Sequence, residues 1–179
     1  MTGYASRHGT IEVAPVSITE KLFEGLWGRE AEVAIVDGPT GRALTAGDVV
    51  DGIRRLAGGL TERGILPGGK VAILAPNMPE YPVVFHAVAW GGGTVTTINP
   101  TYTAPEIRHQ LEDAGAVMLV TVPAFADVAQ TAIEGTAVRE IVVIGGERCL
   151  SLEDVMGQPL MAQAPVDLES HVVVLPYSS

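Results

Sequence analysis

The sequence predicts an α/β protein, a mostly parallel sheet flanked by helices and preceded by a short hairpin. Three observations carry this. Between Lys70 and Val122, three short runs, Val71–Ala75, Thr94–Ile98 and Val117–Val122, are rich in Val, Ile and Thr and nearly free of charge. Strands buried on both faces have this composition. Two helical patterns separate the runs, and strands that alternate with helices imply a parallel sheet. A glycine- and proline-rich turn, Asp37–Gly41, sits between two further short runs near the N-terminus.

Residues 1–16 read as a loosely ordered arm, and 17–179 as one α/β domain. Ser17 and Glu20 have capping-box spacing, and Leu22, Phe23, Leu26 and Trp27 follow at helical spacing up to Gly28. Val33–Val36 and Arg42–Thr45 form the hairpin. Thr45 and Asp48 then open a helix whose stripe is Val49, Val50, Ile53, Leu56, Ala57 and Leu60, with Gly64 as its stop. Arg54, Arg55, Glu62 and Arg63 lie off that stripe and read as a solvated face. Leu66–Gly69 turns into the first core strand, after which a helix carries Tyr81, Val84, Phe85, Val88 and Trp90. That helix is apolar on most sides and is predicted to be buried. His86 within it reads as a packed core histidine.

Gly91-Gly92-Gly93 invites comparison with a phosphate loop, but it follows a helix and precedes a strand. A dinucleotide loop needs G-x-G-x-x-G in the opposite context. Close helix–strand packing explains these glycines better. Thr103 and Glu106 cap the next helix, with Ile107, Leu111 and Ala114 facing inward and Gly115 ending it. Arg108 with Glu112, and His109 with Asp113, are spaced as exposed helix pairs. A short helix over Pro123–Ala132, a fourth strand at Ile141–Ile144 and one helical turn from Ser151 complete the flanking layers. After a proline-rich, acidic loop comes a fifth apolar strand, Val172–Leu175, read as a central strand. The sequence breaks off four residues later, so the domain is predicted to be incomplete.

Composition narrows the function. The chain has 179 residues, 47% hydrophobic and 18% charged, which suits one packed core rather than disorder. Its net charge of −10 argues against nucleic acid or an anionic membrane as the main partner. The single cysteine, Cys149, allows no internal disulfide and reads as unreactive in a surface turn. No signal-peptide core and no run near the roughly 18 apolar residues of a membrane span are present, so a cytoplasmic location is expected.

Several stretches together resemble the N-terminal part of 4-coumarate–CoA ligases and acyl-CoA synthetases of the adenylate-forming superfamily. They are Val71–Asn77, Pro79-Glu80-Tyr81, Gly93–Thr103, Glu106-Ile107 with Gln110-Leu111, the hairpin Val36–Thr45, and Leu175-Pro176-Tyr177-Ser178-Ser179. The resemblance covers nearly the whole chain from about Thr19. It implies that Ser178 and Ser179 begin the loop that holds the ATP phosphates, where hydroxyls, backbone N–H groups and glycines meet the anion. It also implies ATP, Mg²⁺ and coenzyme A as cofactors of the complete enzyme, and a small carboxylic acid, of coumarate or fatty type, as substrate. The remaining nucleotide-site residues of that family fall beyond Ser179. The resemblance therefore assigns no catalytic and no metal residue to this chain, and no cofactor is expected to bind it tightly. Two readings stay open: an inactive N-terminal fragment of a carboxylate–CoA ligase, or a non-catalytic α/β scaffold or interaction module built on the same subdomain. An independent Rossmann-like nucleotide binder is weakened by the missing glycine fingerprint. Apolar surface left uncovered is expected to promote self-association.

Overall fold

The computed structural model describes residues 14–146 and 150–177. The expectations for residues 1–13, for Cys149 and its neighbours Glu147 and Arg148, and for Ser178 and Ser179 lie outside the described residues. In chain order the elements are α1 (Ile18–Leu26), β1 (Val33–Val36), β2 (Ala43–Thr45), α2 (Ala46–Glu62), β3 (Lys70–Leu74), α3 (Glu80–Trp90), β4 (Thr94–Thr97), α4 (Ala104–Ala114), β5 (Met118–Thr121), α5 (Ala126–Ala132), β6 (Glu140–Val143), α6 (Leu152–Val155) and β7 (Val174–Pro176). A single 3₁₀ turn, Pro123–Phe125, leads into α5.

Helix starts fall where short polar side chains satisfy free N–H groups. Ser17 with Glu20, Thr45 with Asp48 and Ser151 with Asp154 form reciprocal capping boxes at α1, α2 and α6. At α4 the N–H and hydroxyl of Thr103 both donate to the Glu106 carboxylate at 2.7 Å. Helix α4 ends on Gly115 at φ 66°, a left-handed stop that suits glycine.

β1 and β2 pair antiparallel as the small hairpin, which Arg42 ties to the start of α3 by a 2.5 Å contact with Glu80. The main sheet has five strands in the order β6-β5-β3-β4-β7, and every neighbouring pair is parallel. Alternation along β3 divides the core. Val71, Ile73 and Ala75 enter a cluster with Ile53, Leu56 and Leu60 of α2, Val84 and Val88 of α3 and Val155 of α6. Ala72 and Leu74 enter the opposite cluster with Ile107 and Leu111 of α4 and Ala129 and Ala132 of α5. Helix α1 lies over α3, its Phe23 ring 4.7 Å from the Trp90 ring and Thr19 Oγ1 3.0 Å from His86 Nδ1.

Three expectations are corrected here. The fifth strand is at the edge of the sheet: β7 has only β4 as neighbour among the described residues, and Val172 before it is 50% exposed. Its apolar sequence is that of a covered strand, and it stands half covered. Of the charged residues read as a solvated face, Arg54, Glu62 and Arg63 make cross-links, whereas Arg55 stays exposed, 3.9 Å from Asp51 on its own helix. Arg63 donates to Glu140 and to the Asp154 carbonyl, both at 3.1 Å. Glu62 accepts from Gln158 N at 3.1 Å, and the Arg54 guanidinium lies 5.3 Å from the Phe23 ring centre. The reason is steric. A Cβ on Gly58 or Gly59 would overlap the carbonyls of Gln158 and Val155, so these glycines let the 155–160 segment reach α2. Arg108 does not meet Glu112; it donates to the Thr131 and Ala132 carbonyls at 2.6 and 3.2 Å, satisfying the open C-terminal end of α5.

Candidate functional site

Because every strand of the main sheet is parallel, all its carboxyl ends lie at one end of the molecule. The chain leaves the central strand β3 for β4 on one side and then crosses to β5 on the other. Such a reversal opens a crevice at the carboxyl ends of the strands, and open α/β sheets bind ligands there. Among the segments that leave the sheet at this end are Ala75-Pro76-Asn77 after β3 and Ile98–Tyr102 after β4. Asn99 shapes the second segment, its Oδ1 accepting from Thr101 N and Thr101 Oγ1, both at 3.0 Å. β7 runs to the same end, and Tyr177, just past it, is the last described residue. Ser178 and Ser179 themselves lie outside the described residues.

The last turn of β7 is fixed by side chains. Thr94 Oγ1 donates to Val172 O at 2.6 Å, and Thr96 Oγ1 donates to Leu175 O at 3.1 Å. Behind Thr96, the Gln110 amide of α4 donates to Thr96 Oγ1 at 2.8 Å and to Thr97 O at 3.0 Å. Thr96 and Gln110 are 0% and 2% exposed, so these bonds form away from water and are costly to lose. Beyond the strand, Tyr177 Oη donates to Asp113 Oδ2 at 2.5 Å. That bond, with some burial and the nearby carboxylate charge, pushes the Tyr177 phenol up to about 12.

Sequence reasoning missed Thr96, Gln110, Asp113 and Tyr177 as a group. Two signals were available. Gln110 interrupts the apolar stripe Ile107, Leu111 and Ala114, and Thr94 and Thr96 recur with the two-residue period of one strand face. The Asp113–Tyr177 bond also replaces the His109–Asp113 pair expected along α4.

The other candidates serve packing. A Cβ on Gly91 or Gly93 would strike Leu66, and Gly92 has φ 75°, so the triple glycine closes α3 onto the turn before β3. His86 is held by Thr19 and stacked edge-on against Phe85, and burial pushes its imidazole pKa down. A cavity of about 320 Å³ lined by Ser17, Thr19, Ala89, Gln163, Glu169 and His171 opens at the other end of the sheet, where His171 Nε2 is 3.2 Å from Gly93 O, just before β4.

The sequence matches the family described as AMP-binding enzyme over residues 27–179. It is 37% identical over 162 residues to 4-coumarate–CoA ligase 5 of Oryza sativa subsp. japonica, an alignment that takes in 88% of this chain and 29% of the rice protein. It is 35% identical over 80 residues to a long-chain-fatty-acid–CoA ligase of Salmonella typhimurium, covering 45% of this chain and 14% of that one. The crystal structure of a long-chain-fatty-acid–CoA ligase from Archaeoglobus fulgidus superposes with a TM-score of 0.86 at 24% identity, over 99% of this chain and 36% of that one. The chain thus spans about three-tenths of the rice ligase it matches. With the family match running from just after the first helix to residue 179, the chain belongs to the AMP-binding enzyme family, in company with the adenylate-forming CoA ligases.

Proposed function

We propose that this chain is the N-terminal fragment of an ATP-dependent carboxylate–CoA ligase, with residues 17–179 forming an incomplete AMP-binding-type domain and 1–16 an arm before it. The observation that carries the reading is the 37% identity with the rice ligase, sustained over 88% of this chain. In the reaction, a carboxylate oxygen attacks the α-phosphorus of ATP and the bond to pyrophosphate breaks, giving an acyl-adenylate. The thiolate of coenzyme A then attacks the acyl carbon and AMP leaves. Mg²⁺ offsets the phosphate charge in the first step.

This chain's part is to carry the start of the phosphate loop. β7 runs to the carboxyl end of a parallel sheet, the end at which open α/β sheets take their ligands. Ser178 and Ser179 add hydroxyl donors there. The chain supplies no group that attacks, protonates or neutralises the reacting atoms, so alone it turns over little or no ATP. A coumarate-like or a fatty acid remains the substrate class, and the cytoplasm the expected location, in keeping with a single cysteine.

The test is pyrophosphate release from ATP and Mg²⁺ with coumarate or a fatty acid, measured on the 179-residue chain and on the polypeptide its reading frame encodes. Turnover is expected only from the latter, with a glycine- and threonine-rich loop and a lysine following Ser179. A reading frame that stops at Ser179 would sink the ligase reading and leave the non-catalytic scaffold. Robust turnover by the 179-residue chain would overturn the division of labour.

A further inference from the structure

Strand β7 has three residues, a single neighbouring strand among the described residues, and a proline that offers no N–H. Its backbone ladder is correspondingly thin, and yet its end must hold a fixed place if a ligand is bound just beyond it. The bonds that supply the fixity run through side chains in one direction. Thr97 O can only accept, so the Gln110 atom 3.0 Å from it is the amide nitrogen. The same nitrogen donates to Thr96 Oγ1, which leaves the single Thr96 hydroxyl proton to point at Leu175 O. Every hydrogen in the chain Gln110 to Thr96 to Leu175 is thereby assigned.

The arrangement has a cost that shows it is not mere filling. Gln110 Oε1 is buried and finds no partner among the described residues. A leucine at this point on the stripe of α4 would avoid the buried, unpaired Oε1, so the amide is explained by its two donated bonds. Asp113, one turn further along α4, takes the Tyr177 phenol, so the same helix grips β7 on both sides of Pro176.

We propose that Gln110 and Thr96 are positioning residues for the phosphate-binding segment that follows Tyr177: the donor chain sets the height of Leu175 against β4 and so the place from which the chain starts out at Tyr177. This rests on the reading of Ser178 and Ser179 as the start of that segment. The effect is expected on ATP and pyrophosphate rather than on the carboxylate, because in that reading the segment holds the phosphates.

Two measurements on Thr96→Val, Thr96→Ser and Gln110→Leu test this. In the 179-residue chain, amide hydrogen exchange is followed in the peptide spanning Val172 to Tyr177, with β3 as the internal reference. Thr96→Val keeps the shape and removes the proton, and exchange in the β7 peptide is expected to speed up about tenfold while β3 is unchanged. Gln110→Leu does the same, and Thr96→Ser restores the slow rate. Equal acceleration in β3 and β7, or none in β7, overturns the donor chain as a local device. In the polypeptide the reading frame encodes, carboxylate-dependent exchange of labelled pyrophosphate into ATP is expected to show KM for ATP and pyrophosphate raised about tenfold in Thr96→Val, KM for the carboxylate unmoved, and rescue by Thr96→Ser. Loosened β7 with unaltered KM for ATP removes the positioning role alone. Loosened β7 in a polypeptide that exchanges no pyrophosphate with any carboxylate removes the phosphate reading instead.

Discussion

Tyr177 and Asp113 show how one contact across 64 residues of sequence can be read in solution. The phenol donates to a carboxylate at 2.5 Å, and the pKa is pushed up to about 12 from 10.0, first by that bond, then by burial, then by the charge of Asp113. The folded state therefore prefers the protonated phenol. Stability from this contact is complete below the unfolded pKa of 10.0 and is lost as pH rises through about 12. Near-ultraviolet absorbance titration of the chain is expected to show one tyrosine ionising last, with a midpoint near 12. Asp113→Ala should bring that midpoint down toward the ordinary range, and Tyr177→Phe should delete it. A titration left unchanged by Asp113→Ala would show that the contact does not persist in solution. Tyr81, raised by burial alone, serves as the control and should not respond.

At the scale of elements, glycines on helices separate into those that admit a neighbour and those that do not. A Cβ on Gly59 of α2 would overlap the Val155 carbonyl and lie 2.7 Å from Gly157 N. Gly25 of α1 meets nothing within 4 Å. Gly59→Ala is expected to destabilise by about 2–3 kcal/mol, because backbone must move to accept it. Gly25→Ala is expected to stabilise by about 0.5–1 kcal/mol through helix propensity. Urea unfolding of the two variants checks this, and similar shifts for both would refute the packing argument. The same contrast explains what the sequence made legible. Capping pairs such as Ser17 with Glu20 and Thr45 with Asp48 act over three residues, so their spacing alone located α1 and α2. The β-α-β order and the apolar runs gave the parallel sheet, because burial on both faces leaves a local compositional trace. The docking of the 155–160 segment on Gly58 and Gly59, and the grip of α4 on β7, depend on residues about 65 to 100 positions apart. No local pattern reports such pairings, so Arg54 and Arg63 read from their own neighbourhoods as a solvated face, and the partners of Gln110 leave no trace beside it in the sequence.

The molecule as a whole sets apolar surface against net charge. Val172 and Leu168, in the stretch leading into β7, are 50% and 47% exposed, and no strand flanks the outer edge of β7 among the described residues. An open strand edge with apolar flanks is a template for pairing with another chain. A net charge of −10 opposes the approach of a second copy. The balance is therefore governed by ionic strength: salt screens the repulsion over about 10 Å at 0.1 M and leaves the apolar contribution intact. Sedimentation velocity is expected to show the 179-residue chain shifting from monomer toward dimer as salt is raised. Val172→Lys places a charge at the edge, removes burial from both copies and should weaken association roughly tenfold. Trp27, 82% exposed at the end of α1, is the comparison site, since Trp27→Lys removes more apolar surface than Val172→Lys and does so away from β7. Equal effects of the two changes would assign self-association to general stickiness, whereas loss confined to Val172→Lys assigns it to the edge. A chain that stays monomeric at high salt and high concentration would show that the half-covered β7 is tolerated in water without a partner.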